Sequence, residues 1–346
     1  MDFTIAGMLA VDGLTNGAIY ALLGLATVMV FAVTRVIFIP QGEFVAFGAL
    51  TLAMFLNRTI PGTVWLLLIM AIVVALQELI ASIRTGASLR TLSRATLTPL
   101  LVPLVLCGLS AWLAPRDIPM WSQVLLSLAL VTAMGPLLYR LAYQSLESST
   151  PLVLLIVSVG VHFALTGLAL LFFGPEGYRN PSFWDERFAV AGIPFSGQAL
   201  IIFGAALVFI ILLWFFFGNT LSGKALRATA INRNGARLMG ISSNTAGQLT
   251  FTLAAFIGAL SGLLIGPTTT VLFDSGFLIG LKGFVAAVIA GLASYPGALV
   301  VALGVGLVEA FSSFWASAFK EVVVFALILP ALWLRSRHAV DDEEDH

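Results

Sequence analysis

The chain has 346 residues, 60% of them apolar and only 10% charged. Soluble proteins run nearer about 45–50% apolar and about 25% charged, so an ordinary soluble enzyme, a disordered regulator and a nucleic-acid binder are all excluded. The 17 basic and 17 acidic residues cancel, but Asp341, Asp342, Glu343, Glu344 and Asp345 crowd the last six positions, and without them 17 positives face 12 negatives.

A spanning helix needs about 20 apolar residues. Apolar stretches fall near 14–33, 36–56, 63–82, 97–114, 121–140, 151–173, 198–217, 248–266, 281–292, 298–315 and 319–334. The expected fold is all-α: a polytopic transmembrane helix bundle with about 11 crossings, within a bracket of 10–12. The ninth stretch is short and Gly-rich, which suits a half-helix or re-entrant piece around 281–296. No internal repeat is evident. Residues 1–338 read as one membrane domain, and 339–346 as an acidic cytoplasmic tail expected to be disordered. Asp2 and Asp12 precede the first apolar stretch, so a cleavable signal peptide is not expected. The single Cys107 excludes an internal disulfide, and His162, His338 and His346 are too scattered for a metal cluster.

Lys and Arg resist translocation, which orients the chain. With the N-terminus outside, the cytoplasmic connections carry Arg35, Arg84, Arg90, Arg94, Arg140, Lys224, Arg227, Arg233, Arg237, Arg335 and Arg337, a total of 11. The outside connections carry 6: Arg58, Arg116, Arg179, Arg187, Lys282 and Lys320. An odd number of crossings then puts the C-terminus in the cytoplasm.

Five features depart from plain lipid-facing helix. Within the second stretch, Pro40, Gln41, Gly42 and Glu43 should break the helix, because Pro removes a donor and Gly loosens the turn. An acid at membrane depth is aimed at a cavity or a partner. Gln41, Gly42 and Glu43 therefore read either as lining a translocation path or, near the cytoplasmic interface, as a pairing of Glu43 with Arg35 or with freed backbone N–H groups. The connection 218–247 holds Lys224, Arg227, Arg233 and Arg237, with a small apolar face of Ala225, Leu226, Ala228, Leu238 and Met239. Gly223 and Gly240 bracket it and suit helix ends. Such an amphipathic helix lies on headgroups or docks in a partner's groove. Residues 280–298 are dense in small residues and end in a Tyr-Pro-Gly turn. They read as tight packing or as a short helix at a pathway beside Ser294. Glu309 in the next stretch is either a second path carboxylate or an interhelical hydrogen-bond partner. The outside connection 174–197 mixes Glu176, Arg179, Asp185, Glu186 and Arg187 with Tyr178, Phe183, Trp184 and Phe188. That mixture suits interface anchors or the docking of a soluble partner. His162, alone in mid-helix, reads as a satisfied interhelical histidine.

There is no Gly-rich loop ending in Lys-Ser/Thr, no His/Glu metal motif and no Gly-x-Ser-x-Gly elbow, so neither an ATPase nor a hydrolase is expected in this chain.

Several blocks resemble the branched-chain amino acid permeases of ABC importers. The connection 218–247 with Leu249-Thr250-Phe251 and Ala259 to Leu264 is similar to that family's cytoplasmic signature. Lys282, Phe284, Ala286, Ala287, Gly291, Pro296, Gly297, Ala298 and Glu309 match its later one. Gly13 to Leu22 with Gly42-Glu43 matches its opening, and Tyr143 to Gly160 more weakly its middle. The resemblance implies a multi-pass permease of a bacterial or archaeal cytoplasmic membrane. It implies pairing with a homologous permease, two cytoplasmic ATPases that bind the ATP, and an external solute-binding protein. No cofactor is implied in the chain itself. The substrates implied are branched-chain amino acids or related small polar or carboxylated solutes, such as urea, amides and aromatic acids. The other class of mechanism is an ion-coupled secondary transporter, which predicts mid-membrane acid pairs and inverted repeats. The resemblance marks Gly223 to Ile241 as the ATPase-coupling helix, with Gly223, Lys224, Arg227, Asn232, Arg233, Arg237 and Gly240 as its working residues and acidic ATPase surface as their counterpart. Three departures stand out. Ile37-Phe38-Ile39-Pro40-Gln41 replaces the family's Asn-Phe-Ala-His. Asn234-Gly235 replaces a Glu-Ala pair. Residues 78–120 look inserted, with room for a basic loop and a helix pair.

Overall fold

The computed structural model describes residues 3–84, 89–190, 192–292 and 294–333; the acidic tail, Arg335 and Arg337 lie outside them. The chain runs α1 (Phe3–Thr34), α2 (Gln41–Leu56), α3 (Gly62–Arg84), α4 (Leu89–Leu113), α5 (Met120–Leu138) with a π-helical turn at Tyr139–Tyr143, and α6 (Pro151–Phe173). A hairpin of β1 (Arg187–Val190) and β2 (Ile193–Ser196) follows. Then come α7 (Gly197–Asn219), α8 (Leu221–Ile231), α9 (Arg233–Leu238), α10 (Ser243–Ile265), α11 (Ser275–Ile289), α12 (Tyr295–Trp315) and α13 (Lys320–Ala326).

The fold is an all-α polytopic bundle. Every apolar stretch of the sequence is helical over most of its length, but the helices differ in length. Seven are long and apolar enough to cross a membrane: α1, α3, α5, α6, α7, α10 and α12. α2, α11 and the apolar part of α4, Leu100–Leu113, have only 10–17 residues, and α13 has 7. Residues 78–120 supply one peripheral helix rather than a pair: α4 packs on α3 and α5.

α1 is the axis of the bundle. It is apolar around its circumference, with α12, α10, α11 and α7 packed on it. Its contact with α12 is close because Gly13 and Gly17 face Gly306 across the crossing. Interfaces of this kind are held by van der Waals packing, which small residues permit.

Between α1 and α2 the chain is not helical, as Pro40 leads one to expect. Pro40 occupies the cap position of α2, with φ −68°. α2 starts halfway up the bundle. The Gln41 side-chain amide donates to the carbonyl of Ala254 at 2.9 Å, and Ala254 is the twelfth of the 23 residues of α10. Non-helical backbone at this depth is tolerated only when protein covers it. Here Phe38 is buried against Phe44, Tyr143 and Phe251, with ring centroids 4.8–6.0 Å apart. The segment's N–H groups are met locally: Arg35 donates to Phe31, Val36 to the Thr34 hydroxyl and Ile39 to Ile37.

The α1–α12 crossing predicts opposite outcomes for two glycines on the same helix. A Cβ on Gly306 would meet the backbone of Gly13 and Gly17, whereas one on Gly304 meets nothing within 4 Å. Gly306→Ala should lower stability by about 1–3 kcal/mol through overpacking. Gly304→Ala should leave it unchanged or raise it by up to about 1 kcal/mol, the helix-propensity gain over Gly. Melting of the purified chain in detergent reads both; an equal response would refute the close crossing.

Candidate functional site

At one end of the bundle, two helices replace the single amphipathic helix expected over Gly223 to Ile241. Each start is fixed by a side-chain cap, which meets an N–H that the first turn leaves unpaired. Thr220 accepts from the Gly223 N–H at 3.0 Å for α8, and Asn232 from the Gly235 N–H at 2.9 Å for α9. Ser242 does the same for α10, accepting from Thr245 at 3.4 Å. α9 ends at Gly240, φ 82°, where Gly240 N–H donates to Arg237 and Ile241 N–H to Ala236. That left-handed closure favours Gly, which carries no Cβ penalty there.

The buried face of this pair is carried by Leu226, which packs on Val33 at the end of α1 and Ala246 at the start of α10. The opposite face is open. Leu221, Ile231, Leu238 and Met239 are each more than 80% exposed. Lys224 and Arg227 are exposed and form no ion pair among the described residues. Arg233 and Arg237 behave differently. Both reach the Glu147 carboxylate, at 2.9 and 2.6 Å, in the connection between α5 and α6. Arg237 also donates to Ser243 at 2.8 Å, and Arg233 to the Glu147 carbonyl at 3.2 Å. Two of the four cations thus tie α9 to the body of the chain. Because Arg237 is half exposed, water screens this pairing to a modest contribution.

Midway along the bundle, Glu43 is fully buried and pairs with His162 Nδ1 at 2.8 Å. His162 is the twelfth of the 23 residues of α6, so this pair sits level with Gln41. The placement corrects the alternative that set Glu43 at the interface beside Arg35. Phe277 of α11 stacks on the imidazole with centroids 4.5 Å apart. Gly42 lies against Gly276 and Gly280, where any Cβ would strike the facing backbone. Gln41, Gly42 and Glu43 are packed between helices.

The opposite end of the bundle holds a cavity of about 550 Å³. It is bounded by the first half of α1, the end of α10, and parts of α11, α12 and α13. Lys282 and Glu309 form its floor. Lys282 is 4% exposed and donates to Glu309 Oε1 at 2.6 Å and to Glu321 Oε1 at 3.0 Å. The Tyr20 hydroxyl donates to the other Glu309 oxygen at 2.6 Å. Lys282 is therefore a buried charge inside α11, which corrects its assignment to an outside connection. Paired charges at such depth mark function by default, since each alone is costly. Ser294, expected near a pathway, caps α12 by accepting from the Gly297 N–H at 3.1 Å and does not line the cavity.

The hairpin lies over this same end. Ser196 lines the cavity, and Ile193 rests on Gly7 at the start of α1. Tyr178 bridges to Val271, and Arg179 donates to the carbonyls of Pro267 and Thr268. Trp184 meets Phe188 edge-on at 5.0 Å and covers Gly197. Glu176, Arg179, Trp184, Asp185, Glu186 and Arg187 are all exposed around it. Sequence reasoning missed Tyr20, Glu147 and Glu321 as partners and Asp12 as a cavity residue; Asp12 and Glu321, acids inside apolar stretches, gave a local signal.

Residues 102–332 match the family described as the permease component of the branched-chain amino acid transport system. The high-affinity branched-chain amino acid transport system permease protein BraD of Pseudomonas aeruginosa is 30% identical over 216 residues, which cover 60% of this chain and 70% of BraD. LivH of Escherichia coli K12, of the same description, is 30% identical over 213 residues, 60% of this chain and 69% of LivH. The xylose/arabinose import permease protein XylH of Sulfolobus acidocaldarius is 29% identical over 179 residues, 51% of this chain and 47% of XylH. The chain, a multi-pass membrane protein, belongs to the branched-chain amino acid transport system permease family.

Proposed function

We propose that the chain is the permease subunit of an ATP-driven importer of branched-chain amino acids or related small polar or carboxylated solutes in a bacterial or archaeal cytoplasmic membrane. One observation carries this reading. The same helices, α1 and α10, hold a capped, outward-facing helix pair at one end and a charged cavity at the other. Movement imposed on α8 and α9 is thereby transmitted along rigid helices to the solute end.

In this reading α8 and α9 seat in a cytoplasmic ATPase. Leu221, Ile231, Leu238 and Met239 supply the apolar contact, and Lys224 and Arg227 meet acidic surface. Gly223, Asn232 and Gly240 set the backbone, while Arg233 and Arg237 couple α9 to the α5–α6 connection through Glu147. A helix laid in a partner's groove uses this kind of anchor spacing. The N-terminus lies outside, consistent with the excess of basic residues at the α8–α9 end, an excess that grows once Lys282 is counted within α11. The exposed residues around the hairpin then receive an external solute-binding protein. Two ATPases and a second, homologous permease complete the assembly, and ATP is bound by those partners.

Disruption of the coupling end tests the reading. Proline cannot adopt the φ of 82° at Gly240. The double variant Arg237→Glu, Gly240→Pro should abolish leucine uptake while the chain remains in the membrane at normal abundance. ATP-dependent uptake that survives in such a variant sinks the proposal, as does wild-type uptake that an uncoupler abolishes while ATP stays high. Separately, Glu147→Ala frees both arginines and should lower solute moved per ATP hydrolysed severalfold, with hydrolysis itself retained. A loss of hydrolysis and uptake in equal proportion would instead mark Glu147 as needed only for folding or assembly.

A further inference from the structure

The cavity at the hairpin end has a chemistry of its own. Five charged side chains line it: Asp12, Lys282, Glu309, Lys320 and Glu321. Three are locked together, since Lys282 serves both Glu309 and Glu321. One ammonium facing two carboxylates leaves that group one negative charge in excess. The Tyr20 hydroxyl meets part of it, on Glu309. Glu321 Oε2 is buried and has no hydrogen-bond partner among the described residues. Asp12 is exposed, on the outer part of α1, and forms no ion pair among the described residues. Lys320, partly exposed, has its only ion pair among the described residues with Glu321, at the limiting distance of 4.0 Å. Beside these groups stands an apolar wall of Leu9, Ile265, Leu278 and Ile279.

We propose that this cavity is a solute subsite built within a single subunit, and that it takes a free zwitterionic amino acid with a short aliphatic side chain. The inference rests on the importer reading above. The ligand's ammonium is received by Asp12, favoured by the excess negative charge of the Lys282–Glu309–Glu321 group. Its carboxylate is received by Lys320, and its side chain lies against the apolar wall. Tyr20, Glu309 and Lys282 fix the floor and keep Glu321 in place. A site lined by both signs of charge rejects a ligand with only one, because the opposite group is then desolvated without a partner. A neutral sugar fits the polar rim but leaves both charges unmet. The volume, about 550 Å³, lies within the range of small-molecule sites.

The test uses the full chain in lipid nanodiscs and tritiated leucine, with two competitors that keep the aliphatic part. 4-Methylpentanoate lacks the ammonium and 3-methylbutylamine lacks the carboxylate. Leucine should bind saturably and compete at least about tenfold better than either analogue, the size of one lost charge-assisted contact. Asp12→Asn and Lys320→Met, both at the accessible edge, should each weaken leucine binding about tenfold. Asp12→Asn should flatten the preference over 4-methylpentanoate, and Lys320→Met the preference over 3-methylbutylamine. The same variants are then expressed in cells lacking the native chain. Wild-type chain that restores leucine uptake, with both variants indistinguishable from it in binding and uptake, overturns the subsite alone. Wild-type chain that binds leucine but restores no uptake overturns the importer reading while leaving the subsite. Absence of saturable leucine binding, equal competition by all three compounds, or displacement by xylose at leucine's concentration also overturns the subsite.

Discussion

The fold is organised around one constraint: the backbone between α1 and α2 is non-helical from exposed Arg35 to buried Pro40, which lies halfway up the bundle. In lipid each unmet peptide group costs several kcal/mol. The chain answers by burying the segment in protein. Phe38 sits among Phe44, Tyr143 and Phe251, and the π turn at Tyr139–Tyr143 brings one of these rings, Tyr143, to it. Because the break ends halfway up, α2 has its first turn at the level where α6 and α10 have their midpoints. That buries both side chains: the Gln41 amide N–H finds Ala254 and Glu43 Oε1 finds His162, while Gln41 Oε1 and Glu43 Oε2 have no hydrogen-bond partner among the described residues. Removing His162 alone would strand the Glu43 carboxylate, the situation in which a buried pair is strongly destabilising.

Much of this was legible in the sequence, for local reasons. Pro40 announced the break, and the apolar runs announced every helix but α8 and α9, since period and length are properties of neighbouring residues. Gly240 announced one end of the amphipathic segment, whereas its start lies at the Thr220 cap and not at Gly223, which falls in the first turn of α8. Its division at Asn232 was written in Asn-x-x-Gly, a cap and the N–H it receives, but Gly235 reads equally as a weak point in one longer helix. Lys282 misled because Gly280-Leu281-Lys282-Gly283 has the composition of a connection. What makes it helical and buried is Glu309 and Glu321, residues 27 and 39 positions away. The Glu43–His162 pair spans 119 positions, and Glu147 meets its two arginines across 86 and 90. Side-chain pairs at those separations leave no periodic trace.

Charge in this chain is spent in two contrasting ways. At the α8–α9 end it lies at the surface, partly screened, and fixes the attitude of a small helix against the bundle. At the cavity end Lys282, Glu309 and Glu321 lie deep and share hydrogen bonds, so that a change in one is felt by the others, while Asp12 and Lys320 stand at the accessible edge. The first arrangement suits a surface that must attach and move. The second suits a site that must hold a shape while helices around it shift.

The packing of α1 has a consequence for how the molecule is made. Its central polar residue, Tyr20, finds its acceptor in Glu309, 289 positions later in the chain, and its glycine face is covered by α12. During synthesis α1 enters the bilayer long before either exists. Until then its grooved surface and a tyrosine hydroxyl face lipid or transient neighbours. The bundle therefore closes last where it begins, and a ribosome that stalls before α12 leaves behind a helix whose uncovered face distinguishes an unfinished chain from a finished one.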